Sequence, residues 1–311
     1  MTRVLVTGCA GFIGSHLVER LLQGDSDVIG IDCFTDYYSE EQKLSNLTRA
    51  LNHERFTLIR QDILEMDRFP RVDHVFHMAA QPGVRASWGD NFAIYTKNNV
   101  EATQRLLEYY RSTELKSFIY SSSSSVYGDT ELPMREDARP LPVSPYGVTK
   151  LAAENLCYLY WKNFGVPIIS LRFFTVYGPR QRPDMAINRF VHAILNESEI
   201  QVYGDGQQLR DFTFVSDVID ALALATEREV KGEVFNIGGG NTISVNALIQ
   251  TLERLVRKKA RVRHVEKQKG DARDTLADTA KAKILLSWSP QTDLEEGLKT
   301  YIAWVLNGRV E

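Results

Sequence analysis

Arg3-Val4-Leu5-Val6-Thr7-Gly8-Cys9-Ala10-Gly11-Phe12-Ile13-Gly14 decides the fold. A short run of β-branched and aliphatic residues reads as a buried strand. It passes directly into Gly-x-x-Gly-x-x-Gly and then into a helical pattern at Leu17, Val18, Leu21 and Leu22. Glycines allow a tight turn and close backbone approach to a pyrophosphate, and the helix N-terminus behind them favours its negative charge. A second strand, Val28-Ile29-Gly30-Ile31, ends at Asp32, 24 residues after Gly8. An acid at that offset accepts the 2′-hydroxyl of an adenosine ribose and disfavours a 2′-phosphate, which points to NAD rather than NADP.

The alternation continues outward. Strands are expected over 55–60, ending near Gln61-Asp62-Ile63, and over 73–78, followed by Ala79-Ala80-Gln81-Pro82-Gly83. Residues 97–111 read as helix, 117–121 as strand, 146–163 as helix and 166–173 as strand. This order implies an α/β fold with a doubly wound parallel sheet and right-handed crossovers. Ligands then bind beyond the carboxyl ends of the strands. Gly8, Asp32, Asp62, Ala79, Ser123 and Thr175 all fall at such ends. The pattern changes near residue 176. Residues 1–175 are read as the dinucleotide-binding domain and 176–311 as a smaller α/β substrate domain. Strands over 212–215 and 234–237 are expected to return to the main body.

The chemistry centres on Ser121 to Lys150. Five consecutive serines, 121–125, precede Val126-Tyr127-Gly128, and Tyr146 and Lys150 stand four residues apart. On a helix those two share one face. An ammonium beside a phenol lowers the phenol pKa, and a phenol so tuned acts as a general base near neutral pH. Tyr-x-x-x-Lys alone also fits an ordinary solvated helix face.

Bulk properties exclude several classes. Hydrophobic content of 43% with 25% charged residues is that of a soluble globular chain. A net charge of −3 gives no basic footprint for nucleic acid. There is no 18-residue apolar run, so no membrane partner is expected. Cys9, Cys33 and Cys157 are too few and scattered for a disulfide framework or a metal site, and a cytoplasmic setting follows. His16 and His77 read as packed structural residues.

Taken together, the residues resemble the extended short-chain dehydrogenase/reductases, and among them the nucleotide-sugar epimerases and dehydratases. The markers are Thr7 to His16, Asp62-Ile63, Ser122-Ser123, Tyr146 with Lys150, Tyr203-Gly204-Asp205-Gly206 and Arg210-Asp211-Phe212. The resemblance implies a Rossmann sheet and NAD held as a prosthetic group. It implies Ser123, Tyr146 and Lys150 as catalytic residues. The cofactor set it implies is Gly8, Gly11, Phe12, Ile13, Gly14, Asp32, Asp62, Ile63, Ala79, Ala80, Gln81 and Asn99, with Tyr146 and Lys150. It also implies a homodimer through helices 97–111 and 146–163, where Leu106, Leu107, Tyr110, Leu156, Leu159 and Tyr160 form an apolar surplus.

Within that family, dehydratases carry Asp and Glu after the catalytic serine or threonine, and decarboxylases carry Glu at the second position. Here Ser124 and Ser125 stand there, so elimination lacks its proton carriers. UDP-glucose 4-epimerases usually carry Asn where Thr175 stands. Thr175 with Arg182-Pro183-Asp184-Met185, and Gly83-Val84-Arg85, look like UDP-glucuronate epimerases. A sugar carboxylate needs hydroxyl and guanidinium donors, which Thr175, Ser124, Ser125 and Arg182 supply. Arg182 is equally read as a phosphate or scaffold residue. Arg210 and Arg273 are expected at the diphosphate, with Arg85, Arg189 and Tyr203 completing the UDP-sugar set. Tyr203 and Met185 stand open between a base pocket and ordinary core. The alternatives are a UDP-glucose/UDP-galactose 4-epimerase and, more remotely, a non-catalytic NAD-binding regulator.

Overall fold

The structure, a computed structural model, describes residues 2–307. Seven parallel strands form the central sheet: β1 (Thr2–Thr7), β2 (Ser26–Asp32), β3 (Phe56–Arg60), β4 (His74–His77), β5 (Ser117–Ser123), β6 (Ile168–Phe173) and, much later, Glu233–Ile237. Between them in the chain lie β7 (Thr175–Tyr177), β8 (Glu199–Tyr203) and β9 (Leu209–Phe214), so Glu233–Ile237 is β10; β11 (Thr242–Ser244) and β12 (Arg261–Val265) follow. The sheet order is β10-β6-β5-β4-β1-β2-β3. The chain winds outward from β1 to β3, then returns to β4 and winds the other way. The reversal between β1 and β4 opens a crevice at their carboxyl ends.

Both faces of the sheet are covered, which is why its strands read as near-continuous apolar runs. On one face lie the helices Phe12–Gln23 and Val215–Glu227, with Leu17, Val18, Val218 and Leu222 in the core. On the other lie Ala102–Tyr110 and Pro145–Phe164, contributing Leu106, Leu107, Ala153 and Cys157. A third core gathers β8, β9 and the helices Ala186–Leu195, Val245–Val256 and Leu294–Leu306. The long helix Pro145–Phe164 has clear local causes. Ser144 caps it by accepting from the Gly147 N–H at 3.1 Å, Pro145 sits at its first position, and Gly165 ends it at φ +71°.

Two details differ from the sequence reading and a third agrees with it. Helix begins at Phe92 rather than 97, and residues Thr96–Glu101 form a π-helical turn before Ala102–Tyr110. The strand expected over 212–215 forms as β9, but it pairs with β7 and β11 in a separate three-stranded sheet. Its partner β7 starts two residues beyond the end of β6, so the pair forms past the central sheet. The strand expected over 234–237 forms as β10 and extends the central sheet at β6.

His77 is locked into the sheet. Its Nδ1 lies 2.8 Å from the Thr7 hydroxyl and its Nε2 2.9 Å from that of Thr103. Thr103 itself donates to the Asn99 carbonyl, so the neutral Nε2–H tautomer satisfies every group. Burial pushes the His77 ring down to about 3, and burial pushes His16, bonded to the Pro179 carbonyl, down to about 4. Unfolded, both rings take a proton near pH 6.5, which the fold refuses. The fold therefore loses stability as pH falls below 6.5, by about 1.4 kcal/mol per pH unit for each ring. Asp211, pushed up to about 6 by burial, works in the opposite sense. The useful measurement is thus a difference. Urea unfolding of His77→Gln without cofactor is expected to show a shallower acid loss than the parent between pH 7.5 and 5, and equal slopes would refute this account.

Candidate functional site

A cleft of about 740 Å³ runs along the carboxyl ends of β1, β2, β4, β5 and β6 and continues over β8 and β9. One end is built for a dinucleotide. Gly8 has φ +66°, and a Cβ there would lie 2.8 Å from the Ala79 backbone; at Gly14 it would lie 2.1 Å from the Gly8 carbonyl oxygen. No side chain caps the helix that starts at Phe12, so its first-turn N–H groups remain available to an anion. Gly11, Phe12 and Ile13 also line the cleft. The Asp32 carboxylate faces it while accepting from the Ala10 N–H at 3.0 Å and the Phe34 N–H at 2.8 Å. These features fit a pyrophosphate and an adenosine ribose.

Asp62 and Ile63 line the same end. Asp62 also caps the turn after β3 through the Leu64 N–H and pairs with Lys97 at 3.1 Å. Ala79, Ala80 and Gln81 line the cleft beyond β4. Asn99 does not. It lies buried under that loop, accepting from the Gln81 N–H at 2.7 Å and donating to the Gln81 carbonyl and to Thr149. Asn99 lies within the π-helical turn Thr96–Glu101 and is its buried residue.

At the centre, Tyr146, Lys150 and Ser123 come together. The Tyr146 amide is held by the Ser87 hydroxyl at 3.1 Å, and the Ser123 hydroxyl accepts from the Ser125 N–H. Burial raises the Tyr146 phenol above its ordinary value. A hydrogen bond with Ser123 and the charge of Arg182 pull it back down. Lys150 donates to the Ser121 carbonyl at 2.7 Å, and burial pushes its ammonium down to about 7. Arg182 is therefore a second cation near the phenol, besides the Lys150 that the sequence pointed to. The Lys150 ammonium spends one N–H on that backbone carbonyl and still lines the cleft with Tyr146.

At the far end, Ser124, Ser125, Thr175, Arg182, Arg189, Tyr203, Arg85 and Arg210 all line the cleft. Arg182 forks onto Asp184, Nε to Oδ1 at 2.9 Å and Nη2 to Oδ2 at 3.0 Å. Arg85 stacks on the Tyr203 ring, 4.1 Å from its centroid, and pairs with Asp271 at 2.6 Å. Arg210 spends one guanidinium nitrogen on the Arg273 carbonyl and another on that of Ala272, fixing the 272–273 loop. Arg273, expected at the diphosphate, is outside the cleft: its side chain is 81% exposed and lies 3.6 Å from Asp274. The Arg273 backbone carbonyl is held by the Arg210 guanidinium. His16 and His77 hold backbone and hydroxyl groups, as structural residues do. Among the described residues no cluster of His, Cys, Asp or Glu is arranged to hold a metal ion.

Several lining residues had no sequence signal strong enough to find them. Lys43 is buried, donates to the Thr35 carbonyl and faces the cleft near Asp32. Tyr37 and Tyr38 follow Asp32 on the same loop, and Asp184 stands two places after Arg182. Only their short distance from recognised residues marked them.

Known proteins agree with this layout. The model of the NAD dependent epimerase/dehydratase family matches residues 4–238. A UDP-glucuronate 4-epimerase of Thermodesulfobacterium geofontis is 40% identical over 308 residues, covering 96% of this chain and 95% of that protein. An uncharacterized UDP-glucose epimerase, YtcB of Bacillus subtilis, is 45% identical, covering 97% and 98%. The crystal structure of UDP-glucuronic acid 4-epimerase from Bacillus cereus, in complex with UDP-glucuronic acid and NAD, superposes with a TM-score of 0.95. It is 43% identical and covers 98% of this chain and 99% of that one. The glycine loop, the cleft at the strand reversal and these matches place the chain in the NAD-dependent epimerase/dehydratase family.

Proposed function

We propose that this protein is a UDP-glucuronate 4-epimerase that interconverts UDP-glucuronate and UDP-galacturonate. The observation that carries the reading is Arg182. It lines the cleft that holds Tyr146, together with Thr175, Ser124 and Ser125, and its guanidinium is fixed there by the Asp184 fork. A sugar whose 4-hydroxyl meets Tyr146 then presents its C5 substituent to donors suited to a carboxylate.

When bound, NAD supplies the hydride acceptor and donor at sugar C4. Gly8, Gly11 and Gly14 leave room for its pyrophosphate at the helix N-terminus, Asp32 takes the adenosine ribose and Lys150 the nicotinamide ribose. Ser123 orients the 4-hydroxyl. Tyr146 removes its proton and holds it while the 4-keto sugar turns over, then returns it on the opposite face. Ser124 and Ser125 offer no titrating group for elimination. Arg210 and Arg189 serve the diphosphate side. Residues 1–175 with β10 form the NAD-binding unit in this reading, and the remainder carries the sugar nucleotide. A cytoplasmic setting rests on the unpaired Cys9, Cys33 and Cys157.

The second reading, a UDP-glucose 4-epimerase, is favoured by the name of the B. subtilis relative. Product analysis with both sugar nucleotides separates the two.

We also propose a symmetric homodimer through Pro145–Phe164 and the helix before β5. Leu106, Leu107, Tyr110 and Tyr160, counted as surplus from the sequence, fill the core instead. What stays exposed is Leu159 with Tyr158 and Phe164, together with Ile94 and Val148. An apolar patch of that kind on a helix pair suits an isologous interface. Light scattering at micromolar concentration is expected to give twice the chain mass; a monomer there would end the proposal.

Tyr146→Phe is expected to abolish epimerisation while NAD binding and the unfolding midpoint stay within error of the parent. Appreciable turnover would mean that another group takes the proton. Arg182→Ala is expected to raise KM for UDP-glucuronate by roughly 10- to 100-fold, since each tenfold is about 1.4 kcal/mol of a lost charge-assisted contact. The inhibition constant of UDP-glucose should move much less. Equal weakening of both ligands would assign Arg182 to the diphosphate or the scaffold.

A further inference from the structure

Arg182 does not stand alone in the cleft. Asp184 takes its Nε–H and one Nη2–H in a fork. Of five guanidinium donors, three remain, and the fork fixes the plane in which they point. Asp184 is itself tied across the cleft. The Tyr37 hydroxyl donates to its Oδ2 at 3.2 Å, over 147 residues of sequence. The Arg182 guanidinium lies 6.0 Å from the centroid of the Tyr37 ring.

Tyr37 has its own seat. Gly83, at φ +101°, leaves it room: a Cβ there would stand 2.6 Å from the Tyr37 hydroxyl oxygen. The Gly83 and Pro82 carbonyls are held by the Tyr95 hydroxyl at 2.7 and 2.8 Å. Tyr95 packs edge-on against Tyr146, with ring centroids 6.2 Å apart. The contacts thus run in a closed loop from Tyr146 through Tyr95, Gly83, Tyr37 and Asp184 to Arg182, whose charge acts back on Tyr146.

We infer that Asp184 and Tyr37 are positioning residues that aim Arg182 at the sugar C5 substituent, and that they set how firmly a sugar carboxylate is oriented during turnover. This rests on the reading of Arg182 as the carboxylate ligand. Asp184 has two opposed effects. Its charge cancels that of Arg182, which weakens the cleft's attraction for a uronate. Its fork immobilises the guanidinium, which keeps a bound carboxylate from swinging. The second effect matters after C4 is oxidised, because the 4-keto uronate is a β-keto acid. If its carboxylate swings into line with the ketone π system, the C5–C6 bond breaks. The electron pair passes to C5 as the enolate of the C4 ketone, carbon dioxide leaves, and water returns a proton to C5.

The two effects predict a split between KM and kcat. Asp184→Asn keeps one acceptor but removes the charge. KM for UDP-glucuronate is expected to hold or fall, kcat to drop at least fivefold, and the fraction of pentose nucleotide among the products to rise. The inhibition constant of UDP-glucose should change less than twofold. Tyr37→Phe, which removes a single hydroxyl, should raise the pentose fraction in the same direction by about half as much; it keeps the inference testable if Asp184→Asn does not fold. In an Arg182→Ala background, Asp184→Asn should add nothing, because Asp184 acts through that arginine. A rise in KM with kcat unchanged, an unaltered pentose fraction, or an additive double variant would each overturn the inference. If Arg182→Ala is selective for the uronate while Asp184→Asn shows no split, this inference falls and the proposed function stands. If Arg182→Ala weakens both sugars equally, the carboxylate reading itself falls.

Discussion

The buried pair of Glu154 and Arg172 fixes where everything else in the cleft can be. Tyr146, Lys150 and Glu154 step by four along one helix and so share the face turned to the sheet. Glu154 accepts from the Ser122 hydroxyl at 2.6 Å on β5 and is forked by Arg172 on β6. Both side chains of the pair are less than one-tenth exposed. Arg172 continues across the Tyr127 ring at 4.7 Å, and the Tyr127 hydroxyl donates to Asn236 on β10 at 2.7 Å. One network therefore ties the helix to three adjacent strands. A buried ion pair is weak evidence of net stability, but losing one partner strands a charge and costs about 3–5 kcal/mol. Its consequence here is register: slippage of the helix by one turn would orphan Arg172 and carry Tyr146 away from Ser123.

Desolvation shapes the chemistry that this register allows. Burial disfavours the charged forms of both Tyr146 and Lys150, raising one and lowering the other. A site left so would be a poor base. The opposing influences on the phenol come from Ser123 and Arg182, one a hydrogen bond and the other a charge. The residue that reads the sugar carboxylate in our proposal is thus also one that favours phenolate. Substrate recognition and proton transfer draw on the same guanidinium, so a neutralising partner such as Asp184 bears on both.

What was legible in the sequence was what local pattern determines. The strand, glycine loop, helix and Asp32 lie within one βαβ unit, and Tyr146 with Lys150 within one helix. Each could be placed without knowing what packs on it. What local pattern leaves open is long-range. Arg273 and Arg210 are both arginines near the cleft, and nothing local says that the Arg210 guanidinium holds the Arg273 carbonyl. Resemblance places Asn99 at the cofactor, and nothing local says that it would hold the Gln81 backbone from beneath the cleft. Leu106, Leu107, Tyr110 and Tyr160 look like surplus until the depth of the sheet-facing core is known. Tyr37 and Asp184 meet only because the loop after β2 and the loop after β7 close on each other.

The same limits explain the plainness of the residues beside Ser123. Once C4 is a ketone, a sugar with a C6 hydroxyl is open to elimination, a uronate, which has no such leaving group, to decarboxylation, and both to hydride return. Elimination needs an acid and a base at C5 and C6, and Ser124 and Ser125 hold no proton that moves near neutral pH. Decarboxylation needs no protein group at all, only a favourable torsion, so withholding an acid does nothing against it. It is resisted only by geometry: short hydroxyl side chains and a guanidinium that is itself immobilised. A cleft that epimerises at C4 therefore has to be chemically quiet where a C6 hydroxyl would leave and mechanically stiff where a C6 carboxylate sits. Serines at 124 and 125 meet the first demand, and the fork between Arg182 and Asp184 meets the second.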